Sequence, residues 1–114
     1  KGRPLCAHFA AAKAAVANVT ESLALSYGPR NVPVNTVCPA VVLTPLWEKS
    51  FGELGGITGK APNELVAAWQ NQTPLRRLAT VDDVANLVAF LSSDRAAFIT
   101  GQEINVCGGF MLSC

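Results

Sequence analysis

The chain reads CAHFAAAKAAV from residue 6 to residue 16, and this alanine-rich stretch decides its fold. The apolar residues around it are spaced by four, three, four, three and four positions: Leu5, Phe9, Ala12, Val16, Val19 and Leu23. This spacing predicts one long helix over residues 4–27 with a continuous apolar stripe. Gly28 and Pro29 end that helix. A second face consists of small residues and lets another helix approach closely: Ala7, Ala10, Ala14 and Ala17.

A strand and a glycine-rich segment follow the first helix. Residues 32–38 are rich in valine and predict a buried strand, which Pro39 stops. Residues 40–79 contain several glycines together with Trp47 and Phe51, a composition that predicts a mobile flap with aromatic anchors. Within the flap, a helix is predicted from Pro62 to about Gln72, because proline is favoured in the first turn.

The C-terminal third predicts one more helix and one more strand. Thr80 is a suitable N-cap residue, and Asp82 and Asp83 favour the positive end of the helix dipole. The predicted buried stripe of this helix is Val84, Leu87, Val88 and Leu91. A short strand from Glu103 to Val106 then precedes the closing turn.

The order of these elements predicts an α/β fold. A crossover of this length between two strands implies a parallel pair with a right-handed connection. Parallel sheets are normally covered on both faces, and two strands alone leave an open edge on each side. We therefore expect this chain to form one side of a larger sheet.

Size and composition exclude several classes of protein. The 114 residues suit one domain, and a chain that is 50% hydrophobic and 15% charged has enough apolar surface for a packed core. The net charge of +1 comes from scattered residues, so neither a nucleic-acid partner nor a membrane partner is expected. No apolar run approaches the roughly 18–20 residues of a membrane span. The start, Lys1-Gly2-Arg3-Pro4, lacks Met and is not followed by the apolar region of a signal peptide, and we interpret it as a processed, truncated or incompletely represented end. A cytoplasmic location is expected from the cysteines, which are typical of reduced thiols.

The cysteines do not predict a metal site. Cys6, Cys38, Cys107 and Cys114 form no closely spaced pair, and His8 is the only histidine. Zinc sites use closely spaced Cys and His ligands, so we expect no metal and reduced, partly buried thiols.

Four blocks of the sequence resemble the C-terminal half of a short-chain dehydrogenase/reductase. The first is the helix with Phe9 and Lys13, where the family has Tyr-x-x-x-Lys. The second, residues 34–45, is similar to V-N-x-V-x-P-G-x-x-x-T-P. The third covers residues 74–94, and the fourth, residues 99–109, is similar to I-T-G-Q…V-D-G-G. Their order and spacing match across nearly the whole chain.

The resemblance implies a partial domain over residues 1–114, with the flap and substrate loop at about 44–73. The fold would be the C-terminal part of a Rossmann-like doubly wound parallel sheet, with about two strands and three helices. The implied activity is hydride transfer between NAD or NADP and a small alcohol or carbonyl substrate. Lys13 resembles the lysine that binds the nicotinamide ribose and lowers the pKa of the tyrosine. Pro39, Val42 and Thr44 match the loop that receives the nicotinamide carboxamide.

Three residues depart from the family pattern. Phe9 stands at the position of the catalytic tyrosine and has no hydroxyl with which to move a proton. Ala40 replaces a glycine, which would cause strain if that position requires a positive φ. Cys107 replaces an aspartate in the closing turn. His8 lies about 100° around the helix from Phe9 and does not replace the lost phenol.

The resemblance also bears on partners. The chain contains no glycine-rich phosphate loop and no counterpart of the serine that polarises the substrate carbonyl, so alone it should bind NAD or NADP weakly or not at all. We expect a complementing N-terminal half or a homo-oligomer. Two alternatives stay open: a noncatalytic oligomerisation or scaffold module, and a decayed, inactive relative of the family.

Overall fold

The chain folds into a mixed α/β structure, which a computed structural model describes from residue 7 to residue 111. Four α-helices and two strands occur in this range: α1 Ala7–Tyr27, β1 Thr36–Pro39, α2 Pro45–Thr58, α3 Pro62–Gln72, α4 Val81–Leu91 and β2 Glu103–Val106. Short 3₁₀ turns follow α1 at Gly28–Arg30 and α4 at Asp94–Ala96. The α/β prediction is confirmed.

The two strands pair in parallel. The Thr36 N–H donates to the Gln102 carbonyl at 2.8 Å, and the Ala40 N–H donates to the Val106 carbonyl at 3.1 Å. The partners advance in the same direction along both strands, which is the parallel pattern. β1 and β2 form a two-stranded sheet, as the sequence predicts.

Several predicted boundaries are confirmed because local signals set them. α1 ends at Tyr27, immediately before the Gly28-Pro29 pair, and its predicted positions 4–6, Leu5 included, lie outside the described residues. α3 runs from Pro62 to Gln72, and β2 from Glu103 to Val106. Thr80 caps α4, since its Oγ1 accepts from the Asp83 N–H at 3.2 Å.

The strand and the flap differ from their predictions. β1 begins at Thr36 rather than at residue 32, and it includes Pro39. Most of the segment before α3, predicted to be a glycine-rich flap, is the 14-residue helix α2, so the chain has four helices and not three. Pro45 begins α2, and the buried Phe51 anchors it. Such anchoring outweighs the low helix propensity of the glycines.

The apolar stripe predicted for α1 is largely exposed, and the burial predicted for the stripe of α4 is only partial. On α1, Phe9, Val16, Val19 and Leu23 are 49%, 50%, 53% and 39% exposed, and the buried residues are Thr20 and Ala24. α4 contains no buried residue. Val84, Leu87 and Leu91 are half-buried, so the described part of the chain covers the α4 stripe incompletely and leaves the α1 stripe about half exposed.

The chain divides into two compact units. The first comprises Lys1–Val37 and Ala89–Ile104, and the second comprises Cys38–Val88 and Asn105–Cys114. The single domain over residues 1–114 stays a prediction.

In the first unit, hydrogen bonds from distant parts of the sequence hold the start of β1. The Asn35 side chain donates to the Ile99 carbonyl at 2.8 Å and accepts from the Gln102 N–H at 3.0 Å. Thr20 on α1 lies 2.6 Å from Thr36 through their hydroxyl oxygens. Since the Thr20 hydroxyl donates to the Val16 carbonyl at 3.0 Å, Thr36 must be the donor between the two threonines.

In the second unit, α2 and α3 pack over a small apolar core. Its buried residues come from the loop after β1, from α2, from α3 and from the segment before α4: Val41, Phe51, Leu65 and Leu78. Trp47, Val66 and Trp69 pack against this core. The core holds the helical hairpin beside the loop that carries the predicted cofactor residues.

Candidate functional site

Phe9 and Lys13 lie on one side of the exposed N-terminal part of α1, in the first unit. The Lys13 Nζ is 5.5 Å from the centroid of the Phe9 ring, a cation–π distance. A spacing of four residues places both side chains on the same face of the helix. The ammonium group therefore stands close to the ring that occupies the tyrosine position.

Pro39, Val42 and Thr44 lie in the second unit, in and after the end of β1. Val42 forms an isolated parallel bridge with Ala79. The Leu43 N–H donates to the Ala79 carbonyl at 3.0 Å, and the Ala79 N–H donates to the Val41 carbonyl at 3.1 Å. This second parallel pairing, which no sequence pattern predicts, fixes the backbone of the loop around Val42.

Thr44 begins α2. Its carbonyl accepts from the Trp47 N–H at 2.9 Å and from the Glu48 N–H at 3.1 Å, while its side chain makes no capping hydrogen bond. The structure thus accounts for the backbone of Thr44 and leaves its hydroxyl without a capping role. Contact with a nicotinamide carboxamide stays a prediction for all three loop residues.

Ala40 adopts no left-handed conformation. Among residues 7–111, Asn31 and Arg76 are the non-glycine residues with positive φ, so Ala40 is not strained in that way. The predicted penalty for replacing the glycine depends on a positive φ at this position, and the structure does not have one. Arg76, at φ 55°, is the non-glycine residue of the second unit that adopts the left-handed conformation.

Arg77 and Asp83 form a two-pronged ion pair in the second unit. The Arg77 Nη1 lies 2.6 Å from Asp83 Oδ2, and Nη2 lies 2.8 Å from Oδ1. Asp83 Oδ2 also accepts from the Thr80 N–H at 2.7 Å. The hydrogen bond from Arg77 is the largest cause that holds the pKa of Asp83 well below its usual value, and the hydrogen bond from Thr80 adds to it. The same ion pair raises the pKa of Arg77.

Sequence patterns place Asp83 at a helix start and do not pair it with Arg77. The two residues are separated by the turn before α4, and helical spacing rules do not extend across such a turn. An arginine six residues before an aspartate does not by itself predict an ion pair. Whether the two side chains meet depends on the backbone conformation of residues 77–80.

A cleft of about 210 Å³ lies beside this ion pair, within the second unit. Trp69 and Phe110 contribute to its wall, and their ring centroids are 5.2 Å apart. Arg77, Asp83 and Asn105 are part of its polar lining. Ligand pockets usually measure about 300–1,000 Å³, so this cleft is small. The loop residues predicted to contact the carboxamide do not line it: Pro39, Val42 and Thr44.

The closing turn after β2 packs tightly against the segment after α3. The buried Cys107 thiol accepts from the Met111 N–H at 3.4 Å. Gly108 has φ +57°, and a Cβ at this position would lie 2.7 Å from the Thr73 Cγ2. The glycine is required here for both conformation and space.

Two further findings concern metals and membranes. Within residues 7–111, no group of three or more His, Cys, Asp and Glu side chains is arranged to hold a metal ion. In the same range, no helix is both long and apolar enough to cross a membrane.

Comparison with known proteins identifies the family. A family model described as enoyl-(acyl carrier protein) reductase matches residues 1–111. The chain belongs to the short-chain dehydrogenase/reductase family. A short-chain dehydrogenase/reductase of Armillaria gallica is 39% identical to it over 112 residues, which are 97% of this chain and 41% of that relative.

Solved structures of the short-chain dehydrogenase/reductase family share its fold. A short chain dehydrogenase family protein of Francisella tularensis superposes with a TM-score of 0.86 at 33% identity, over 96% of this chain and 45% of that protein. The L-sorbose reductase of Gluconobacter frateurii, solved with NADPH and L-sorbose, superposes with a TM-score of 0.79 at 30% identity, over 90% of this chain and 39% of the reductase. The chain thus spans less than half the length of these relatives.

Proposed function

We propose that this chain is the C-terminal part of an NAD(P)-dependent short-chain oxidoreductase that transfers hydride between the nicotinamide and an alcohol or carbonyl substrate. The observation that carries the proposal is the placement of Lys13 on an exposed helix face, with its Nζ 5.5 Å from the ring centroid of Phe9 at the tyrosine position. The family membership of the chain supports it.

In this proposal, Lys13 donates hydrogen bonds to the nicotinamide ribose. An ammonium group on a long flexible side chain carries three donors and can reach two neighbouring hydroxyls. The loop of Pro39, Val42 and Thr44 receives the carboxamide, with backbone groups of Val42 and the Thr44 hydroxyl as its partners. The Ala79 pairing, at 3.0 and 3.1 Å on either side of Val42, holds that loop in place before the cofactor binds.

Phe9 limits the chemistry. Reduction of a carbonyl needs a proton for the developing alkoxide, and oxidation of an alcohol needs a base, and a phenyl ring supplies neither. Loss of a positioned acid–base group typically lowers the rate about 10²–10⁴-fold. We therefore propose an oxidoreductase with strongly impaired turnover and with cofactor binding that depends on the rest of the enzyme.

The test uses this chain together with the segment of the Armillaria gallica relative that it does not match, with NADPH and L-sorbose as probes. Fluorescence titration measures NADPH binding, and the loss of NADPH absorbance measures turnover. Phe9→Tyr should raise turnover at least about 10²-fold with unchanged NADPH affinity. Phe9→Leu, the matched control, should leave both unchanged.

Lys13→Met separates cofactor binding from proton transfer in the same assay. It should weaken NADPH binding whether position 9 carries phenylalanine or tyrosine. A complex that forms but binds no NADPH, whichever residue occupies position 9, would overturn the proposed function.

A second candidate function is a noncatalytic oligomerisation or scaffold module. The observation in its favour is that Phe9 has no hydroxyl while much of the apolar surface of α1 is exposed. Light scattering at micromolar concentration tests it, since a stable homo-oligomer that binds no nucleotide would favour this function over the first.

A further inference from the structure

One cleft of the second unit takes no part in the proposed function. It is the cleft of about 210 Å³ beside the ion pair of Arg77 and Asp83, here called the Trp69 cleft. Its lining includes Ala40, which follows β1, and Val106, which ends β2. The loop residues proposed to receive the carboxamide do not line it, so a ligand in this cleft would occupy a site of its own.

Backbone hydrogen bonds fix two parts of the cleft wall. The Leu75 N–H donates to the Gly108 carbonyl at 3.2 Å, and the Ala79 N–H donates to the Val41 carbonyl at 3.1 Å. All four residues line the cleft. The first bond joins the segment after α3 to the closing turn, and the second joins the segment before α4 to the loop after β1. Walls that form without the ligand are typical of small-molecule sites.

Arg76 adopts an unfavourable backbone conformation between two lining residues. Its φ of 55° is left-handed, which a residue with a Cβ seldom adopts, and Leu75 and Arg77 on either side of it both line the cleft. The Arg76 Nη1 donates to the Asn71 carbonyl at 2.8 Å, which holds this turn. Residues in such conformations cluster at ligand clamps and active sites, so the turn is a feature expected of a binding site.

The apolar wall of the Trp69 cleft suits a single ring. Trp69 and Phe110 are half-buried, and their ring centroids lie 5.2 Å apart at an interplanar angle of 47°. Aromatic side chains can contact a ligand ring through a face or an edge. A volume of 210 Å³ equals that of roughly seven water molecules, which is enough for one ring with a short substituent and too little for a dinucleotide.

The charged lining favours a neutral ligand. Among the described residues that line the cleft, Arg77 and Asp83 are the charged ones, and they neutralise each other. Both carboxylate oxygens of Asp83 accept from Arg77, and Oδ2 also accepts from the Thr80 N–H. A carboxylate or an ammonium group in the cleft would lose hydration and face a like charge, while the opposite charge is already engaged.

Asn105 supplies the polar contact that a neutral ligand needs. It is exposed on β2, it lines the cleft, and its side chain makes no hydrogen bond to any residue that the structure describes. Its amide offers two N–H donors and one carbonyl acceptor. A ring that carries an amide N–H and C=O side by side can therefore pair with Asn105 through two reciprocal hydrogen bonds.

We propose that the Trp69 cleft is a binding site for a small neutral lactam, a single ring with an amide group in it. The ring lies against Trp69 and Phe110, and its N–H and C=O pair with the Asn105 side chain. The site is additional to the proposed hydride transfer and does not depend on it, because its lining includes neither Phe9 nor Lys13.

The experiment titrates the full chain with 2-pyridone and follows the backbone amide signals by two-dimensional NMR. Two matched compounds separate the contacts, since 1-methyl-2-pyridone has no N–H donor and benzoate carries a charge. Asn105→Ala removes the amide partner, and Phe110→Ala removes part of the aromatic wall. Asn71→Ala is the control variant, because Asn71 is exposed, belongs to the second unit and does not line the cleft. Far-UV circular dichroism checks that each variant keeps the helix content of the parent chain.

We expect saturable binding of 2-pyridone with a Kd of about 1 mM or tighter, as suits so small a compound. The signals that move should belong to the lining segments 73–79 and 105–110. Both matched compounds should bind at least about fivefold more weakly. Asn105→Ala and Phe110→Ala should each weaken the binding of 2-pyridone at least about threefold, and Asn71→Ala should leave it unchanged.

Several results would overturn the proposal. They are no saturable binding of 2-pyridone below about 10 mM, equal binding of the three compounds, and equal effects of the three variants. A homodimer that Phe110→Ala dissociates and that 2-pyridone does not affect would also overturn it, because the cleft would then be covered by a second copy of the chain. Light scattering of the parent chain and of this variant detects that outcome.

Discussion

Replacing Gly108 by alanine should destabilise the second unit strongly. Gly108 has φ +57°, and the left-handed region costs a residue with a Cβ roughly 1–2 kcal/mol. The new Cβ would also lie 2.7 Å from the Thr73 Cγ2, and Thr73 is itself buried. Overpacking of this kind costs roughly 1–3 kcal/mol. The two effects together predict a loss of about 2–5 kcal/mol in the free energy of unfolding.

Two other glycines separate strain from overlap. Gly59 has φ +70° at the C-cap of α2, and a Cβ added there would meet nothing within 4 Å, so Gly59→Ala should cost only the conformational part, roughly 1–2 kcal/mol. Gly56 lies inside α2 with open space around it and no positive φ. Gly56→Ala should therefore stabilise the chain, by up to about 1 kcal/mol.

Urea unfolding followed by tryptophan fluorescence measures all three variants, because Trp47 and Trp69 pack against the core of the second unit. In a double-mutant cycle, Thr73→Ser removes the Cγ2 that the new Cβ meets, so it should recover part of the loss in Gly108→Ala and little in Gly59→Ala. Equal losses at positions 59 and 108, or no recovery by Thr73→Ser, would refute the packing argument.

Three further predictions concern single side chains. Asn35→Ala removes both hydrogen bonds to the 99–102 segment and should lower the free energy of unfolding by about 1–3 kcal/mol. Thermal unfolding measures this loss, and the control Asn18→Ala, at an exposed position, should cause little change. The folded-state pKa of Asp83 lies below its unfolded value of about 3.9, so its contribution is complete above that pH and declines as the pH falls below it. Asp83→Asn should accordingly lower stability at neutral pH, and its unfolding midpoint should fall less steeply than that of the parent chain as the pH drops below about 4. An unchanged dependence of the midpoint on pH would contradict this. Arg77→Met should change the same slope in the same direction, because Arg77 is the main cause of the shift.

The elements that could be predicted from sequence are those with a local signal at their ends. Pro62 starts α3, Thr80 caps α4, and Gly28 with Pro29 ends α1, and each boundary depends on the backbone preferences of a few adjacent residues. α2 has a comparable start at Pro45, but its glycines indicate a loop. Its stability comes from Phe51 in a core whose other members are distant in sequence, which no local pattern reveals.

Burial could not be predicted from periodicity alone. The spacing of Phe9, Val16, Val19 and Leu23 predicts an apolar stripe correctly, and the structure places all four on one side of α1. Periodicity shows only that something should cover the stripe. Whether the cover belongs to the same chain depends on how much of the sheet that chain contains, and here the described part contains two strands.

The candidate site separates into residues that maintain the fold and residues that would perform the chemistry. Asn35 joins the second sequence block to the fourth, because its amide bonds to Ile99 and Gln102 across 64 and 67 positions. Asn35 therefore holds the start of the second block against the start of the fourth. Phe9 makes no such contact, and its exposed ring can be exchanged for a phenol without disturbing the packing. Asn35 thus has a structural role in the fold, whereas the exposed Phe9 does not, so Phe9→Tyr tests the proposed chemistry with little effect on the fold.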